Sequence, residues 1–346
     1  MKSYLNKAAQ LAGISALAAM MSFSSAWAQE VKLKLHQFLP AQAPIPAKLL
    51  IPWMKKIEEE SKGRIVFEHY PAMQLGGKPG ELVDQVMDGV ADVVWTLPGY
   101  TPGRFPRTEV MELPFTMTNA EAASRTFWTL GEKYMFDKDF KDFKVLGLWT
   151  HGPGLIHSKN PITKIGDLSG VKLRAPTRVT NMMVTNLGAT AVGMPVPAVP
   201  ESLSKGVIDA TILPWEVTAS LKSSELVHNH TEFTGASLYT SAFLLAMNKA
   251  VYDKLPDDLK AVIDANSGLE FSALAGKTSQ EADAPARQKA VDLGNTIVQL
   301  TPEQVAEWQT AAQPTIDTWV KESAAAGFDG QALLDEARAL MTANTK

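Results

Sequence analysis

The chain contains 346 residues, carries a formal net charge of −4 at pH 7 and has no cysteine. Its composition, 45% hydrophobic and 20% charged, is typical of a globular protein, and its length predicts about two domains. The absence of cysteine excludes a disulfide scaffold, a thiol nucleophile and cysteine-ligated zinc. Lysine and arginine are scattered, and the weakly acidic balance argues against a nucleic-acid partner, which usually needs a basic patch.

The first 28 residues have the three parts of a secretory signal peptide. Lys2 and Lys7 supply the positive start, residues 11–23 form a short apolar run, and Ala26-Trp27-Ala28 matches a cleavage site. The run is too short to serve as a permanent membrane anchor. An N-terminal amphipathic helix is the alternative interpretation. We therefore predict cleavage after Ala28 and a mature protein in the periplasm.

Apolar periodicity predicts two α/β units in series, followed by a helical tail. The first unit alternates three strands, at 31–36, 65–70 and 91–96, with helices at 47–61 and 80–88. Later strands are predicted at 144–150, 155–158, 171–174, 191–194, 208–213 and 239–247, with helices at 178–187 and 199–205. The tail is helical at 256–293, where Pro285 bends or divides the helix, then between Pro302 and Pro314, and at 330–343. This alternation predicts the α/β class, with mostly parallel sheets flanked by helices.

The chain lacks the sequence motifs of common catalytic and cofactor sites. It contains no G-x-S-x-G, no H-E-x-x-H, no Walker loop and no G-x-G-x-x-G after its first strand. The glycine-rich stretch 76–80 is interpreted as a tight turn, and His228-Asn229-His230 as a surface loop with too few donors for a metal. We therefore expect no enzyme activity, no cofactor and no metal. An exported two-lobe α/β protein of this kind indicates a clamp that binds a ligand between its lobes.

Five stretches of the mature chain resemble a known family. They are WMKKIEEESKGRIVFEHY (53–70), QLGGKPGELVDQVMDGVADVVW (74–95), ELPFTMTNAEAA (112–123), PITKIGDLSGVKLRAPTRVTNMMVTNLGATAVGMP (161–195) and ESLSKGVIDATILPWEV (201–217). Together they cover most of the chain, in order. The chain resembles the extracytoplasmic solute-binding proteins of tripartite ATP-independent periplasmic (TRAP) transporters.

The resemblance implies a two-lobe periplasmic-binding-protein clamp in which each lobe is discontinuous in sequence. We expect the first lobe at 29–155 plus 240–280 and the second at 156–239 plus 281–346, with a long helix at 256–293 running along both. The implied ligand is an organic acid, which is passed to a separate two-subunit membrane permease. We expect a monomer with no nucleic-acid partner.

Arg174 is the main candidate for binding the ligand. It ends the predicted strand at 171–174, and the carboxyl ends of strands in a doubly wound sheet face the ligand crevice. Its planar guanidinium matches a carboxylate in two-point contact. The resemblance implies that the family's ligand-binding arginine lies at this position. Arg178 and Asn181 follow in the next helix and are candidates for a second carboxylate or a polar tail, with an ordinary role in the helix as the alternative.

Aromatic side chains predict the rest of the pocket. Four of them lie at the carboxyl ends of predicted strands, on the side where a cleft would form: Phe38, Trp95, Trp149 and Trp215. Core packing is the alternative for each. Beside them, Glu216 could pair with Arg174 or Arg178, or accept a hydrogen bond from a hydroxyl.

These residues predict a binding protein for a small organic acid with an aromatic or branched apolar part. A C4-dicarboxylate or a keto acid is the alternative ligand. Two other classes of protein compete with this interpretation: a secreted enzyme that uses Asp92, His151 or Glu216, and a sensor that presents its ligand to a receptor kinase.

Overall fold

The computed structural model describes residues 30–345, so the predicted signal peptide lies outside the described residues. Within this part of the chain, eleven strands form two sheets. The strands are β1 (Val31–Gln37), β2 (Ile65–Tyr70), β3 (Val93–Thr96), β4 (Phe143–Thr150), β5 (Gly154–Ser158), β6 (Lys172–Ala175), β7 (Thr190–Gly193), β8 (Ala210–Pro214), β9 (Asn229–Phe233), β10 (Ala242–Asn248) and β11 (Thr296–Leu300). The first sheet has the order β2-β1-β3-β10-β4, and the second has the order β11-β9-β5-β8-β6-β7.

Twelve α-helices of the described chain flank these sheets. They are α1 (Ile51–Glu60), α2 (Leu82–Met87), α3 (Ala120–Leu130), α4 (Arg178–Asn186), α5 (Val199–Ser204), α6 (Trp215–Leu221), α7 (Lys249–Lys254), α8 (Asp257–Ala265), α9 (Leu269–Glu281), α10 (Asp283–Asp292), α11 (Pro302–Ala325) and α12 (Gly330–Asn344). No helix in residues 30–345 is both long and apolar enough to cross a membrane.

Local sequence explains several of these elements. In β1 the apolar Leu33 and Leu35 are buried and alternate with lysines on the other face. Helix α3 begins after Asn119, whose side chain accepts a hydrogen bond from the amide of Ala122. Helix α11 begins with Pro302 in its first turn, directly after a threonine that forms a capping box. Strand β10 is buried at every position because it lies between two neighbours in the middle of the first sheet.

One strand in each sheet runs against the others. In the first sheet β10 is antiparallel to β3 and β4, and in the second β5 is antiparallel to β8 and β9. These two strands directly follow the crossing segments 151–153 and 234–241, by which the chain passes from a strand of one sheet to a strand of the other. All other strands therefore direct their carboxyl ends toward the gap between the lobes, where a ligand crevice is expected. The predicted two-lobe α/β architecture is confirmed, with mixed sheets.

The long helix predicted at 256–293 is divided into α8, α9 and α10. The first break falls at Gly268, which has a φ of +92° that favours glycine. The second falls at Ala282, because Pro285 has no N–H to donate to the carbonyl of Glu281 and its ring would clash with that carbonyl. By contrast, Pro314 lies inside α11 and does not end it, which corrects the predicted boundary.

The structure also differs from the prediction in two strands and in the placement of the C-terminus. Strands β9 and β11 were not predicted, and His230 is buried in β9, so the surface loop expected at 228–230 is wrong. Strand β5 already belongs to the second sheet, although the first lobe was expected to extend to residue 155. Helix α12 contacts α3 of the first lobe, although the sequence assigned it to the second.

Candidate ligand-binding cleft

A cavity lies between the two sheets, at the carboxyl ends of the strands that face the gap. The space between protein atoms there, including solvent space at its mouth, is about 390 Å³. The first lobe contributes Phe38, Leu39, Trp95, Leu97, Tyr100 and Phe243, the second lobe contributes Arg174, Pro176, Val196, Leu213, Pro214, Glu216 and Val217, and the crossing segments contribute His151, Tyr239 and Ser241. Most of the wall is apolar or aromatic with a few polar groups, as is usual for a small-molecule site.

Arg174 is held rigidly in this wall. It lies near the carboxyl end of β6, between β7 and β8, and only 1% of it is exposed. Its Nε and Nη2 donate to the carbonyl of Met194 at 2.9 and 2.8 Å, and its Nη1 donates to the carbonyl of Ile212 at 3.2 Å. These bonds fix the guanidinium plane and leave two of its five N–H groups, one on each terminal nitrogen. Such a pair can bind both oxygens of a carboxylate.

Within residues 30–345, Arg174 forms no ion pair with an aspartate or a glutamate. Burial lowers the pKa of Arg174, and the nearby phenols of Tyr100 and Tyr239 oppose that shift. The guanidinium nevertheless stays charged, as arginine does in proteins. A buried charge is costly unless it is paired, so this position favours an anionic ligand.

An aromatic wall faces the cavity from the first lobe. The Trp95 ring centroid lies 4.7 Å from that of Phe38 and 5.5 Å from that of Phe243, and all three residues line the cavity. Trp149 lies behind Trp95 at 6.0 Å with an interplanar angle of 18°, and it does not line the cavity. Phe38 and Trp95 thus lie where the sequence predicted an aromatic wall, whereas Trp149 supports that wall from the core. Large flat side chains of this kind suit an aromatic ligand.

Three buried polar atoms belong to side chains of the cavity wall and have no hydrogen-bond partner in the described chain: Trp95 Nε1, His151 Nε2 and Glu216 Oε2. Burial lowers the pKa of His151 to about 4, so its imidazole is neutral at neutral pH. Burial, aided by the charge of Asp283, raises the pKa of Glu216 to about 8, so its carboxyl group is mostly protonated at pH 7. Glu216 therefore lies in the cavity as a neutral acid and does not pair with Arg174 or Arg178.

The structure places Arg178 and Asn181 outside the cavity, which corrects the expectation that they would contact the ligand. The Arg178 guanidinium donates to both carboxylate oxygens of Glu109 at 2.9 and 2.6 Å and also pairs with Glu322. The side-chain amide of Asn181 donates to the backbone carbonyl of Thr177 at 2.6 Å, so it bonds within the first turn of its own helix. Both side chains are committed to protein partners.

Trp215 was expected in the pocket and instead packs on the far side of the second sheet. Its Nε1 donates to Glu232 at 2.8 Å, and its ring lies edge-on to His157 with centroids 5.0 Å apart. Trp215 and Glu216 are the first two residues of α6, and successive helical residues project about 100° apart. Glu216 consequently lines the cavity, and its neighbour Trp215 does not.

Sequence reasoning missed the two tyrosines of the cavity wall and did not name its histidine as a ligand-binding residue. Tyr100 ends the short turn Pro98–Tyr100 that follows β3. Because the carboxyl ends of strands face the ligand crevice, its position in the sequence could have identified it. Tyr239 precedes β10 in a crossing segment that the sequence assigned to a strand. His151 was considered only as a catalytic group.

The two lobes are closed over the cavity by direct contacts between them. The amide of Val196 in the second lobe donates to the Tyr100 hydroxyl of the first at 3.0 Å. The Arg178–Glu109 ion pair also joins the two lobes. At Gly99 the backbone approaches Thr177 so closely that an added Cβ would lie 2.4 Å from the threonine methyl group. The closed form therefore depends on close packing at the rim of the cleft.

The fold and the cleft together define a class. A two-lobe α/β clamp with one buried, unpaired arginine in an aromatic cavity is built as a binding protein for a small anion. Residues 36–323 match the DctP family model, described as bacterial extracellular solute-binding protein, family 7, and the chain belongs to this family.

Solved structures support the same assignment. A TRAP solute-binding protein from Rhodoferax ferrireducens T118, in complex with copurified benzoate, is 49% identical with a TM-score of 0.89, over 91% of this chain and 98% of that one. A marine metagenome TRAP solute-binding protein specific for aromatic acid ligands, in complex with 3-hydroxybenzoate, is 48% identical with a TM-score of 0.90, over 92% and 100%. A Bordetella bronchiseptica TRAP protein with bound mandelate is 28% identical with a TM-score of 0.83, over 90% and 99%. The resemblance to TRAP solute-binding proteins is thereby confirmed.

Proposed function

We propose that this protein captures an aromatic monocarboxylate in the periplasm and delivers it to a TRAP membrane permease, without chemical conversion of the ligand. The observation that carries the proposal is Arg174, a buried cation whose backbone hydrogen bonds leave one N–H on each terminal nitrogen. Within residues 30–345 its polar neighbours there are the phenols of Tyr100 and Tyr239, and it forms no ion pair with a carboxylate. The ligand carboxylate would accept from that fork, and its ring would lie against Phe38, Trp95 and Phe243. The benzoate and 3-hydroxybenzoate complexes of similar proteins support this ligand class.

The alternative of a C4-dicarboxylate is less well supported. Among the side chains that line the cavity, Arg174 is the single lysine or arginine. The other cation expected there, Arg178, is neutralised by Glu109 and Glu322 outside it. A second carboxylate would therefore enter a largely apolar wall without a charged partner, which is costly.

The competing enzyme class also lacks support in the geometry. His151 and Glu216 are the candidate general acid and base that line the cavity, but no hydrogen bond joins their side chains in the described chain. The Nδ1–H of His151 instead donates to the carbonyl oxygen of Gly152 at 2.6 Å. The described residues therefore contain no preformed hydrogen-bonded acid–base pair in the cavity to support this class.

Isothermal titration calorimetry on the mature protein tests the ligand class. We expect benzoate or a substituted benzoate to bind, and succinate and glucose to give no measurable heat. Arg174→Ala should weaken binding about a hundredfold or more, because removing one partner of a buried ion pair costs about 3–5 kcal/mol. Tight binding of succinate, or an unchanged affinity in Arg174→Ala, would contradict the proposal.

Delivery to a permease requires a separate measurement. Uptake of radiolabelled benzoate by cells that carry the permease should depend on the protein and should fall with Arg174→Ala to the level of a deletion strain. Uptake that is independent of this protein would reject the transport role even if binding is confirmed.

A further inference from the structure

The cavity contains polar atoms that an unsubstituted aromatic acid would leave without partners. His151 and Glu216 are 3% and 4% exposed, both line the cavity, and His151 Nε2 and Glu216 Oε2 have no hydrogen-bond partner within residues 30–345. Buried polar groups without partners are rare in native proteins, because each loses its hydration without compensation. These two atoms therefore indicate a ligand group that would bind them.

The role of each atom follows from its surroundings. The carbonyl of Gly152 can only accept, so the 2.6 Å contact with His151 Nδ1 places the ring proton on Nδ1. His151 Nε2 is then a lone-pair acceptor on a side chain that lines the cavity, and no donor within residues 30–345 bonds to it. Thr240 donates to the backbone carbonyl of His151 at 3.0 Å, which helps to hold this residue in the crossing segment.

Glu216 is fixed by its backbone and not by a charged partner. Its amide donates to Asp283 at 2.8 Å, which anchors the first turn of α6 against α10. The side chain forms no ion pair with any described residue, and burial raises its pKa so that the carboxyl group is mostly neutral at neutral pH. A neutral carboxyl group carries both a donor and an acceptor. Together with the acceptor on His151, it matches a hydroxyl group, which donates one hydrogen bond and accepts another.

We propose that His151 and Glu216 form a hydroxyl-binding subsite, so that the protein selects hydroxylated aromatic acids over unsubstituted ones. The inference rests on the proposed function, in which Arg174 holds the carboxylate of the same ligand. The ligand hydroxyl donates to His151 Nε2, and its oxygen accepts from the Glu216 carboxyl group. Specificity arises because benzoate leaves both protein groups unpaired, and sites built to bind a hydroxyl discriminate strongly against analogues that lack it.

The test compares dissociation constants for benzoate, the three hydroxybenzoate isomers and their methoxy counterparts. We expect at least one hydroxybenzoate to bind about tenfold or more tightly than benzoate. Its methoxy counterpart, which cannot donate, should lose that advantage. In Glu216→Leu and His151→Phe the ratio of the two constants should fall toward one. Glu216→Gln, which keeps a donor and an acceptor, should retain most of the preference.

The ratio within each variant serves as its own control for altered stability, and thermal unfolding verifies that each variant folds. If His151→Phe does not fold, the comparison of Glu216→Leu with Glu216→Gln decides alone. Equal affinity for benzoate and every hydroxybenzoate in the unmodified protein would overturn this inference and leave the proposed function intact. So would a preference that survives in Glu216→Leu. If no benzoate binds at all, the proposed function fails first and this inference fails with it.

Discussion

At the scale of single residues, the proposed binding chemistry depends on a charged group, Arg174, and a neutral acid, Glu216. Arg174 is a charged fork held by two backbone carbonyls, and Glu216 is a carboxyl group held neutral by its burial. A protein that must bind an anion gains from this arrangement, because the acid in the cavity neither cancels the arginine nor repels the ligand. Two predictions depend on these residues.

Arg174→Lys should weaken the binding of an aromatic acid about tenfold or more, although the positive charge is kept. An ammonium group lacks the planar fork and cannot hold two carbonyls and a carboxylate in the same geometry. The matched control is Arg125→Lys, which changes the same type of side chain at an ion pair with Glu121 and Glu270 outside the cavity and should alter affinity far less. Calorimetry that shows equal losses in both variants would contradict a direct role for the Arg174 fork.

Affinity should also fall as the pH rises through the range in which Glu216 ionises. The pKa of Glu216 is raised to about 8, so its carboxyl group loses its proton above that pH and places a negative charge beside an anionic ligand. Asp283, with a pKa raised to about 7, ionises earlier and adds to the repulsion. Titrations between pH 6.5 and 9.5 should show the decline in the unmodified protein and a weaker one in Glu216→Gln. A flat profile would contradict the buried neutral acid.

At the scale of elements, the cleft is built where strand ends of both sheets meet the turns that follow them. The turn Pro98–Tyr100 brings Tyr100 to the amide of Val196, and the glycine within it permits contact with Thr177 at the start of α4. Closure of the lobes therefore requires that one residue of this turn has no side chain. The next prediction uses that requirement.

Gly99→Ala should reduce ligand affinity about tenfold while leaving the stability of the lobes almost unchanged. The added Cβ would lie 2.4 Å from the Thr177 methyl group, and overpacking of this kind usually costs about 1–3 kcal/mol, which the open form avoids. Gly166→Ala is the matched control, since nothing lies within 4 Å of its added Cβ and neither glycine has a positive φ. An affinity equal to that of the control would show that the rim contact does not govern closure.

Sequence patterns predicted the elements whose burial produces a strong signal and missed those without one. Strand β2 was predicted at its observed bounds because β-branched and aromatic residues dominate it between Gly63 and Pro71. Strand β9 reads Asn-His-Thr-Glu-Phe, and its strand character comes from pairing with β5 and β11, which no local pattern reveals. Arg174 and Trp95 could be placed in the cleft because they lie at the carboxyl ends of strands. The orientation of Trp215, by contrast, depends on where α6 begins.

At the scale of the whole molecule, buried carboxyl groups and buried histidines have opposite effects on how the stability of the fold depends on pH. Glu112, Glu216 and Asp283 have raised pKa values of about 8, 8 and 7, and burial is the first cause for each. His151 and His230 have pKa values lowered to about 4, again by burial. The carboxyl groups oppose stability as the pH rises, and the histidines oppose it as the pH falls.

Thermal unfolding should therefore show a stability that declines between pH 6.5 and 8, where the carboxyl groups dominate. The raised carboxyl groups contribute stability that is complete below their unfolded pKa of about 4.5 or less and is lost as the pH rises to about 8. The lowered histidines contribute stability that is complete above 6.5 and is lost as the pH falls to about 4. Glu112→Gln should reduce the loss between pH 6.5 and 8. A melting temperature that rises steadily over that interval would contradict the assignment.

The position of β10 has a consequence for how this protein is made. In the first sheet, β4 has β10 as its one hydrogen-bonded neighbour, yet about ninety residues of the second lobe separate these strands along the chain. The amino-terminal half therefore cannot complete its own sheet during synthesis, and the nascent polypeptide remains incompletely folded until residues 242–248 have emerged. Because the sheet is completed late, this topology would suit a secretory pathway that exports chains before they fold.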